Sequence, residues 1–220
     1  MDYLKIDGAD WRKIFVCGDL HGCYDPLMAE LERIGFDFEH DLLIAVGDLI
    51  DRGEQNVECL DLMNLPWFRS VAGNHEMMAW ATIFGDLHPQ HWVSNGGGWY
   101  YTCDADQAIL ARQLIARLPF LPNVIEVTTT SGQKIVVTHA DYPDDVYQYG
   151  KEINWDQAHW SRQRIIKAKN GEPAGIAGAD QFIFGHSPVK TPLAVENLLY
   201  IDTGAIWSKT LTILCIQGGE

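Results

Sequence analysis

The sequence predicts a mixed α/β fold, and three patterns along the chain support this prediction. Short apolar runs rich in β-branched residues recur and are typical of strands. In the first half, helical patterns separate these runs, which favours parallel strands joined through helices. In the second half, Ser131 and Gly132 lie between two strand-like runs and favour a hairpin, so this half is expected to contain more antiparallel pairing.

The elements can be placed in chain order from these patterns. Strands are predicted at residues 13–17, 41–46, 68–71, 124–130, 133–138, 181–184, 198–201 and 210–216. Helices are predicted at residues 27–34, 55–63, 74–84, 104–117 and 156–168. Asp25 is the expected N-cap of the first helix, with Pro26 at its first position, because a proline there loses no intrahelical hydrogen bond.

The composition is typical of a globular protein. Of the 220 residues, 47% are hydrophobic and 21% are charged, and no repeat or Pro/Ser-rich linker divides the chain, so one domain spanning residues 1–220 is expected. The formal net charge of -14 would repel phosphate backbones and anionic membranes. Nucleic-acid and membrane partners are therefore not expected.

Two further features favour a cytoplasmic location. Residues 1–11 mix charged and apolar positions and lack the basic region and apolar core of an export signal. The five cysteines have no CxxC spacing, which suits a reducing compartment. We therefore expect a cytoplasmic protein.

Polar loops follow five of the predicted strands. They read GDLHG at 18–22, GDLIDRG at 47–53, GNHE at 73–76, THAD at 138–141 and FGHS at 184–187. In open α/β sheets, the loops at the carboxyl ends of strands converge on one crevice. The five loops are therefore expected to form one site.

The candidate metal ligands in these loops are carboxylate, amide and imidazole groups. They are Asp19, His21, Asp48, Asn74, His139 and His186. Such a donor set suits Mn²⁺, Fe or Zn better than a structural thiolate zinc site. Six ligands are too many for one catalytic ion, whereas two ions about 3.5–4 Å apart, bridged by a carboxylate, account for the number and can stabilise a phosphoryl displacement. Asp48, in the middle loop, is the expected bridge.

The first three motifs carry a family resemblance. GDLHG, GDLIDRG and GNHE, whose first glycines are 29 and 26 residues apart, resemble the signature of the metallophosphoesterase superfamily, in its serine/threonine protein phosphatase branch. HADYP at 139–143, FIFGH at 182–186 and YIDTGA at 200–205 are similar to the small bacterial and phage enzymes typified by the phage lambda phosphatase. The resemblance implies a calcineurin-like phosphoesterase domain: a β-sandwich of two mixed sheets flanked by helices, in α-β-β-α layers.

The resemblance also implies a metal-dependent serine/threonine protein phosphatase, with phosphotyrosine as a further substrate and two divalent ions as cofactors. Mn²⁺ is the expected metal, with Fe or Zn as alternatives. One ion would be held by Asp19, His21 and the bridging Asp48. The second would be held by Asp48, Asn74, His139 and His186.

The same resemblance assigns roles in the reaction. A hydroxide between the ions would attack phosphorus in line. His75 would protonate the leaving group as general acid, and Asp51 would orient His75. The expected substrate-binding residues are Arg52, Asn74 and Arg162, of which the two arginines would hold phosphate oxygens through forked hydrogen bonds.

One position departs from the family pattern. Ala72 lies two residues before Asn74, where relatives usually carry a basic residue. A charge-assisted phosphate contact is worth on the order of 1.5–3 kcal/mol, so its loss is expected to weaken binding about ten- to a hundredfold unless another group replaces it.

Two alternative functions stay open at this point. A symmetrical dinucleoside tetraphosphatase shares the early motifs, but it needs groups that bind a nucleoside and a long polyphosphate. A weakly active phosphoprotein-binding protein would account for Ala72, but it has no use for a general acid at His75.

Some residues also have a structural interpretation. Arg162 belongs to a basic run with Arg164, Lys167 and Lys169 that is typical of a solvated helix face. Trp92 and Trp99 are expected in the core or in the wall of a groove. Glu76 follows His75, but Ala79 replaces the second histidine of HExxH and excludes that metalloprotease motif.

Overall fold

The computed structural model describes residues 2–218 and contains ten strands and eight helices within that range. The strands are β1 (Tyr3–Asp7), β2 (Lys13–Cys17), β3 (Asp41–Ala45), β4 (Phe68–Ser70), β5 (Val124–Thr128), β6 (Lys134–Thr138), β7 (Gln181–Phe184), β8 (Leu193–Val195), β9 (Leu198–Tyr200) and β10 (Ile213–Gln217). The helices are α1 (Tyr24–Arg33), α2 (Asn56–Asp61), α3 (Asn74–Phe84), α4 (Pro89–Ser94), α5 (Ala105–Ile115), α6 (Trp155–Trp160), α7 (Gln163–Lys169) and α8 (Ala205–Ser208). A short 3₁₀ helix at Gly97–Tyr101 also bears on the site.

The strands form two mixed sheets. In the four-stranded sheet, ordered β10-β2-β3-β4, the strands β2, β3 and β4 are parallel and β10 is antiparallel to β2. The six-stranded sheet has the order β1-β5-β6-β7-β9-β8. Its strands β5 and β6 pair antiparallel through the turn that contains Gly132, whose φ is 84°. The predicted hairpin at Ser131 and Gly132 is therefore confirmed.

The alternation of side chains along β2 and β5 explains how the layers pack. Ile14 and Val16 of β2 share one apolar cluster with Ile125 and Val127 of β5, which places this cluster between the two sheets. The intervening residue Phe15 faces the other way, into a second cluster with α1, α2 and α5. A third cluster joins the outer face of the six-stranded sheet to α7. Successive strand residues point to opposite faces, so the central strands are buried on both sides, and the α-β-β-α sandwich is as predicted.

The sequence patterns do not predict β1 and β8. Both lie at the edges of the six-stranded sheet, and their side chains are only partly buried. Edge strands are commonly short and carry polar residues, so the apolar signal that identifies a strand is weak there. The short helices α4 and α8 also escape prediction, since six and four residues are too few for a helical period to stand out.

Two helix predictions need correction. The first helix begins at Tyr24 with Cys23 as N-cap, so Asp25 and Pro26 are its second and third residues and Asp25 is not the cap. The predicted helix at 156–168 is two helices, α6 and α7. Ser161 separates them in an extended conformation, with ψ of 136°, and its hydroxyl lies 3.3 Å from Asp141 Oδ2. This break places Arg162 at the start of α7, where its guanidinium can reach the strand-end loops.

Candidate active site

The five polar loops meet at the carboxyl ends of β2, β3, β4, β6 and β7. The amides of Leu20 and His21 donate to Asp48 O at 3.1 and 2.9 Å, which joins the first two loops. Gly47 has φ of 95°, and a Cβ there would lie 2.9 Å from Gly73 Cα and from His139 Nδ1. Only glycine allows the loops after β3, β4 and β6 to approach this closely.

The backbone at this site is strained. Seven non-glycine residues among those described have positive φ, and five of them are predicted site residues. These are His21 (45°), Asp48 (51°), Asp51 (77°), Arg52 (72°) and His186 (64°). Such conformations cost on the order of 1–3 kcal/mol each and cluster at functional sites, because only there does the rest of the structure maintain them.

One group of donors contains Asp48, Asn74, His139 and His186. His139 Nδ1 donates to Val46 O at 2.7 Å, which leaves Nε2 as the ring nitrogen that faces the other donors. That nitrogen lies 2.9 Å from Asn74 Oδ1 and 3.3 Å from Asp48 Oδ1, and His186 Nδ1 lies 2.9 Å from the same Asn74 oxygen. Imidazole nitrogens, an amide oxygen and a carboxylate oxygen at these distances form a donor set that suits a divalent cation. The residues present therefore fit a metal ion.

A second group lies on the other side of Asp48. His21 Nδ1 donates to Ile50 O at 2.9 Å, so its Nε2 has a lone pair that a cation can bind, and the Arg52 guanidinium contacts this nitrogen. That nitrogen lies 3.8 Å from Asp48 Oδ2 and 4.0 Å from Asp19 Oδ2. Donor atoms of His21, Asp48 and His75 all lie within 4.8 Å of one another. Asp19, in contrast, points toward His186, and its two carboxylate oxygens accept from the His186 amide at 3.2 and 3.1 Å.

Burial and charge determine the protonation states of these donors. Burial lowers the pKa of His21 and of His186 to about 3, so both rings are neutral and able to bind a cation. Burial alone would raise the pKa of Asp48, but the imidazoles of His139 and His75 outweigh it and hold the pKa well below its usual range. Burial raises the pKa of Asp19 well above its ordinary value, and the charges of Asp202 and Asp48 add to this effect.

Glu76 connects the loops, and the sequence patterns gave no indication of this role. Its carboxylate accepts from the amides of Asp48 and Leu49 at 2.8 Å and from the amide of Gly73 at 2.9 Å. It is fully buried, and burial together with Asp48 raises its pKa to about 7. Glu76 therefore fixes the loop after β3 against the start of α3.

Asp51 and His75 form the predicted pair. His75 Nδ1 donates to Asp51 Oδ2 at 2.7 Å, which turns Nε2 toward the metal-binding side, 3.8 Å from Asp48 Oδ2. Burial alone would lower the pKa of His75, but Asp48 and Asp51 outweigh it and raise the pKa above its ordinary value. The indole nitrogens of Trp92 and Trp99 also donate to Asp51, both at 2.8 Å. These two tryptophans border the site rather than only filling the core.

The two predicted phosphate-binding arginines lie on opposite sides of the donors. Arg52 Nη1 contacts His21 Nε2, and its Nη2 lies 2.9 Å from His75 Nε2. The exposed Trp207 of α8 covers the Arg52 guanidinium, with 5.4 Å between that group and the ring centroid. Arg162 is exposed, and its Nη2 lies 3.4 Å from His186 O. Both guanidiniums can therefore reach an anion bound beside the donors.

The interpretation of Arg164 as part of a solvated basic face is wrong. Its side chain is only 10% exposed, and Nε donates to Asp141 Oδ1 at 2.8 Å. It also donates to the carbonyls of Ala174, Tyr142 and Asp144 at 2.6, 3.2 and 3.0 Å. Arg164 therefore anchors α7 to the loop after β6, whereas Arg162, the N-cap of the same helix, is exposed.

Ala72, the position that departs from the family pattern, is buried. Its side chain is 1% exposed, and its amide donates to Pro122 O at 2.8 Å. The segment is thus packed against the residues that join the 3₁₀ helix at Leu118–Phe120 to β5.

The chain matches a known protein family. A model of the calcineurin-like phosphoesterase family matches residues 12–207. The chain belongs to this family. The match includes all five strand-end loops and every predicted ligand. None of the helices in residues 2–218 is long and apolar enough to cross a membrane.

Curated members of the family resemble the chain over its whole length. Serine/threonine-protein phosphatase 2 of Salmonella typhimurium is 43% identical over 215 residues, which is 98% of each chain. Serine/threonine-protein phosphatase 1 of the same organism is 40% identical, over 98% of this chain and 97% of its own. Among solved structures, a candidate diadenosine tetraphosphatase has a TM-score of 0.73 at 18% identity, covering 100% of this chain and 95% of its own. That structure supports the fold alone.

Proposed function

We propose that this phosphoesterase is a metal-dependent protein phosphatase acting on phosphoserine and phosphothreonine, with phosphotyrosine as a further substrate. The observation that carries the proposal is the position of Asp48. Its carboxylate contributes to both donor groups. Asp51, which lies three residues later, accepts the hydrogen bond from His75. The names of the full-length relatives, both serine/threonine-protein phosphatases, support a phosphoprotein as the substrate.

The donor groups suggest two divalent ions. We infer Mn²⁺, with Fe or Zn as alternatives, because the donors are carboxylate, amide and imidazole. One ion would be held by Asp19, His21 and Asp48, and the other by Asp48, Asn74, His139 and His186. When bound, the ions would lower the pKa of water and stabilise charge on the attacking and leaving oxygens.

The remaining side chains would bind the substrate and move a proton. Arg52 and Arg162 would bind non-bridging phosphate oxygens, beside Asn74. His75, held by Asp51 at Nδ1, would donate the proton on Nε2 to the oxygen of the leaving serine as its bond to phosphorus breaks. The raised pKa of His75 supports this role, because a general acid must be protonated in the bound complex.

A symmetrical dinucleoside tetraphosphatase is the second candidate. Bis(5'-nucleosyl)-tetraphosphatases are more distant relatives of the chain. The symmetrical enzyme of Cellvibrio japonicus is 25% identical over 93% of this chain, whereas the two serine/threonine-protein phosphatases are 43% and 40% identical over 98% of it. The protein phosphatase is therefore the preferred function.

Turnover of three substrates with Mn²⁺ tests the proposal: p-nitrophenyl phosphate, a phosphoserine peptide and a dinucleoside tetraphosphate. We expect phosphate release from the first two, loss of release after chelation, and at least about a hundredfold lower kcat in Asp48→Asn. The exposed His91, changed to asparagine, serves as the control and should keep full activity.

Three outcomes would contradict the proposal in different ways. Faster kcat/KM on the dinucleoside tetraphosphate would favour the second candidate. Release that survives complete chelation would exclude the proposed metal dependence. Tight phosphopeptide binding without release would indicate a phosphoprotein-binding protein.

A further inference from the structure

Asp51 has an unusual set of hydrogen-bond donors. Its side chain is fully buried, and three donors surround it: His75 Nδ1 at 2.7 Å and Trp92 Nε1 at 2.8 Å on Oδ2, and Trp99 Nε1 at 2.8 Å on Oδ1. An indole N–H can only donate, so both tryptophan contacts require an oxygen that accepts. The carboxylate is therefore held at both oxygens and cannot rotate without losing a buried hydrogen bond.

The two indoles are themselves fixed by packing. Trp92 is fully buried in α4, and a Cβ on Gly97 would lie 2.3 Å from its ring, so the 3₁₀ helix packs directly on the indole. The rings of Trp92 and Trp99 meet edge to face, with centroids 6.0 Å apart. The amide of Arg52 also donates to Gly96 O at 3.3 Å. Residues 89–101 thus hold the strained loop at Asp51 and Arg52 from one side.

We propose that Trp92 and Trp99 are positioning residues: they hold the Asp51 carboxylate in the orientation that binds His75, and they thereby orient the general acid. This inference rests on the proposed function. Each indole has a single N–H group, and in both tryptophans this group donates to Asp51 and not to a proposed metal ligand. Their effect passes through Asp51, which sets the orientation of the imidazole and keeps its Nδ1 as the donor to Asp51. Nε2 is then the nitrogen that delivers a proton to the leaving oxygen.

This role predicts a dependence on the leaving group. An alkoxide leaving from phosphoserine needs a proton, whereas 2,4-dinitrophenolate is stable without one, so only the first reaction depends on the general acid. Trp99→Phe keeps an aromatic ring and removes the N–H. We expect about a tenfold or greater loss of kcat on a phosphoserine peptide with little change in KM, and less than about a threefold loss on 2,4-dinitrophenyl phosphate.

A double-mutant cycle separates positioning from general destabilisation. If Trp99 acts through Asp51, adding Trp99→Phe to Asp51→Asn should change kcat by less than about twofold, because the pair works as a unit. The matched control is Trp67→Phe, which removes a buried indole that packs among Phe36, Phe38 and Phe68 away from the site. It should leave the ratio of the two kcat values unchanged.

The outcomes are distinct. Equal losses on both substrates, or additive losses in the cycle, would show that Trp99 only supports the fold and would overturn the inference. Trp92 is fully buried, so the stability of Trp92→Phe is measured by thermal unfolding. If this variant does not fold, the half-buried position Trp99 is used alone for the kinetic test. A wild-type chain that releases phosphate from neither substrate would instead overturn the proposed function, and this role with it.

Discussion

At the scale of single residues, Glu76 supports the proposed metal ligands without being one of them. In Glu76→Gln, the amide nitrogen would face a backbone N–H, so at least one of the three buried hydrogen bonds is lost. Changes in groups that orient ligands typically cost about 10- to 100-fold in metal affinity. We expect the Mn²⁺ concentration that gives half-maximal activity to rise by this factor.

The control for Glu76 is Glu58→Gln, an exposed change in α2 that keeps the same difference in charge. It should leave the Mn²⁺ requirement unchanged. An unaltered Mn²⁺ titration of Glu76→Gln would mean that the loops hold their geometry without this carboxylate.

Ala72 gives a second prediction at this scale. Ala72→Arg places a guanidinium where relatives usually carry a basic residue, and a new charge-assisted phosphate contact should raise kcat/KM on p-nitrophenyl phosphate about tenfold. Because the position is buried, Ala72→Met controls for the added volume without the charge. Thermal unfolding of both variants checks that the fold is kept. An unchanged or lower kcat/KM in a folded Ala72→Arg protein would contradict the prediction.

The sequence predicts the residues that carry a motif but not the residues that support them. His139 and His186 follow strands, and so their convergence with Asp48 could be expected from topology alone. Glu76 binds main-chain amides of another loop, and Trp92 and Trp99 reach Asp51 across more than 40 positions of sequence. No local spacing encodes such contacts, since they depend on how two loops fold against each other.

At the scale of elements, the N-cap and the first turn of α7 carry two arginines that are expected to have different roles, one in binding and one in stability. Arg162 is exposed beside His186, whereas Arg164 is nearly buried against Asp141. Arg162→Ala should lower kcat/KM about ten- to a hundredfold without a change in the unfolding temperature. Arg164→Ala leaves a buried carboxylate unpaired and should cost about 3 kcal/mol of stability, which denaturant unfolding measures.

Lys169→Ala, exposed at the end of the same helix, is the control for both arginine variants and should change neither quantity. A loss of stability in Arg162→Ala comparable to that of Arg164→Ala would mean that the two arginines form one structural unit. The break at Ser161 explains why the periodicity misled the prediction here. A hydroxyl that bonds Asp141 and the amide of Gln163 ends α6, and neither contact alters the spacing of apolar residues.

The two strands that the sequence patterns miss lie at the edges of the six-stranded sheet, whereas the central strands of both sheets are predicted. The residues of β3 are buried throughout, and from Leu42 to Ala45 its sequence is one apolar run. In contrast, β1 alternates Lys5 and Asp7 with apolar residues at a sheet edge, where partial exposure removes the constraint on composition.

At the scale of the whole molecule, several buried carboxyl groups of this acidic chain lie together near the strand-end loops. Burial raises the pKa of Asp19, Glu76 and Asp202, and that of Glu76 to about 7. A carboxyl whose pKa is higher in the folded than in the unfolded chain binds protons preferentially when folded, so stability falls as pH rises through the folded value. The lowered pKa values of His21 and His186 act in the opposite direction below about pH 6.5, where the unfolded chain binds protons that these buried rings do not. Without metal, the unfolding temperature should therefore decline as pH rises above about 6.5, where the raised pKa values of Glu76, His75 and His139 act together.

Divalent cations should reverse this decline, because they bind the folded chain and neutralise the charge that high pH creates. At a hundredfold excess over Kd, binding adds about 2.7 kcal/mol, which corresponds to a rise in Tm of about 5–10 °C for a chain of this size. We expect Mn²⁺ to raise Tm more at pH 8 than at pH 5, chelation to abolish the rise, and Asp48→Asn to lose most of it. Calorimetry with and without Mn²⁺ at both pH values measures these shifts. An equal shift in Asp48→Asn would place the ions elsewhere on the acidic surface and would remove the basis for a dinuclear centre at Asp48.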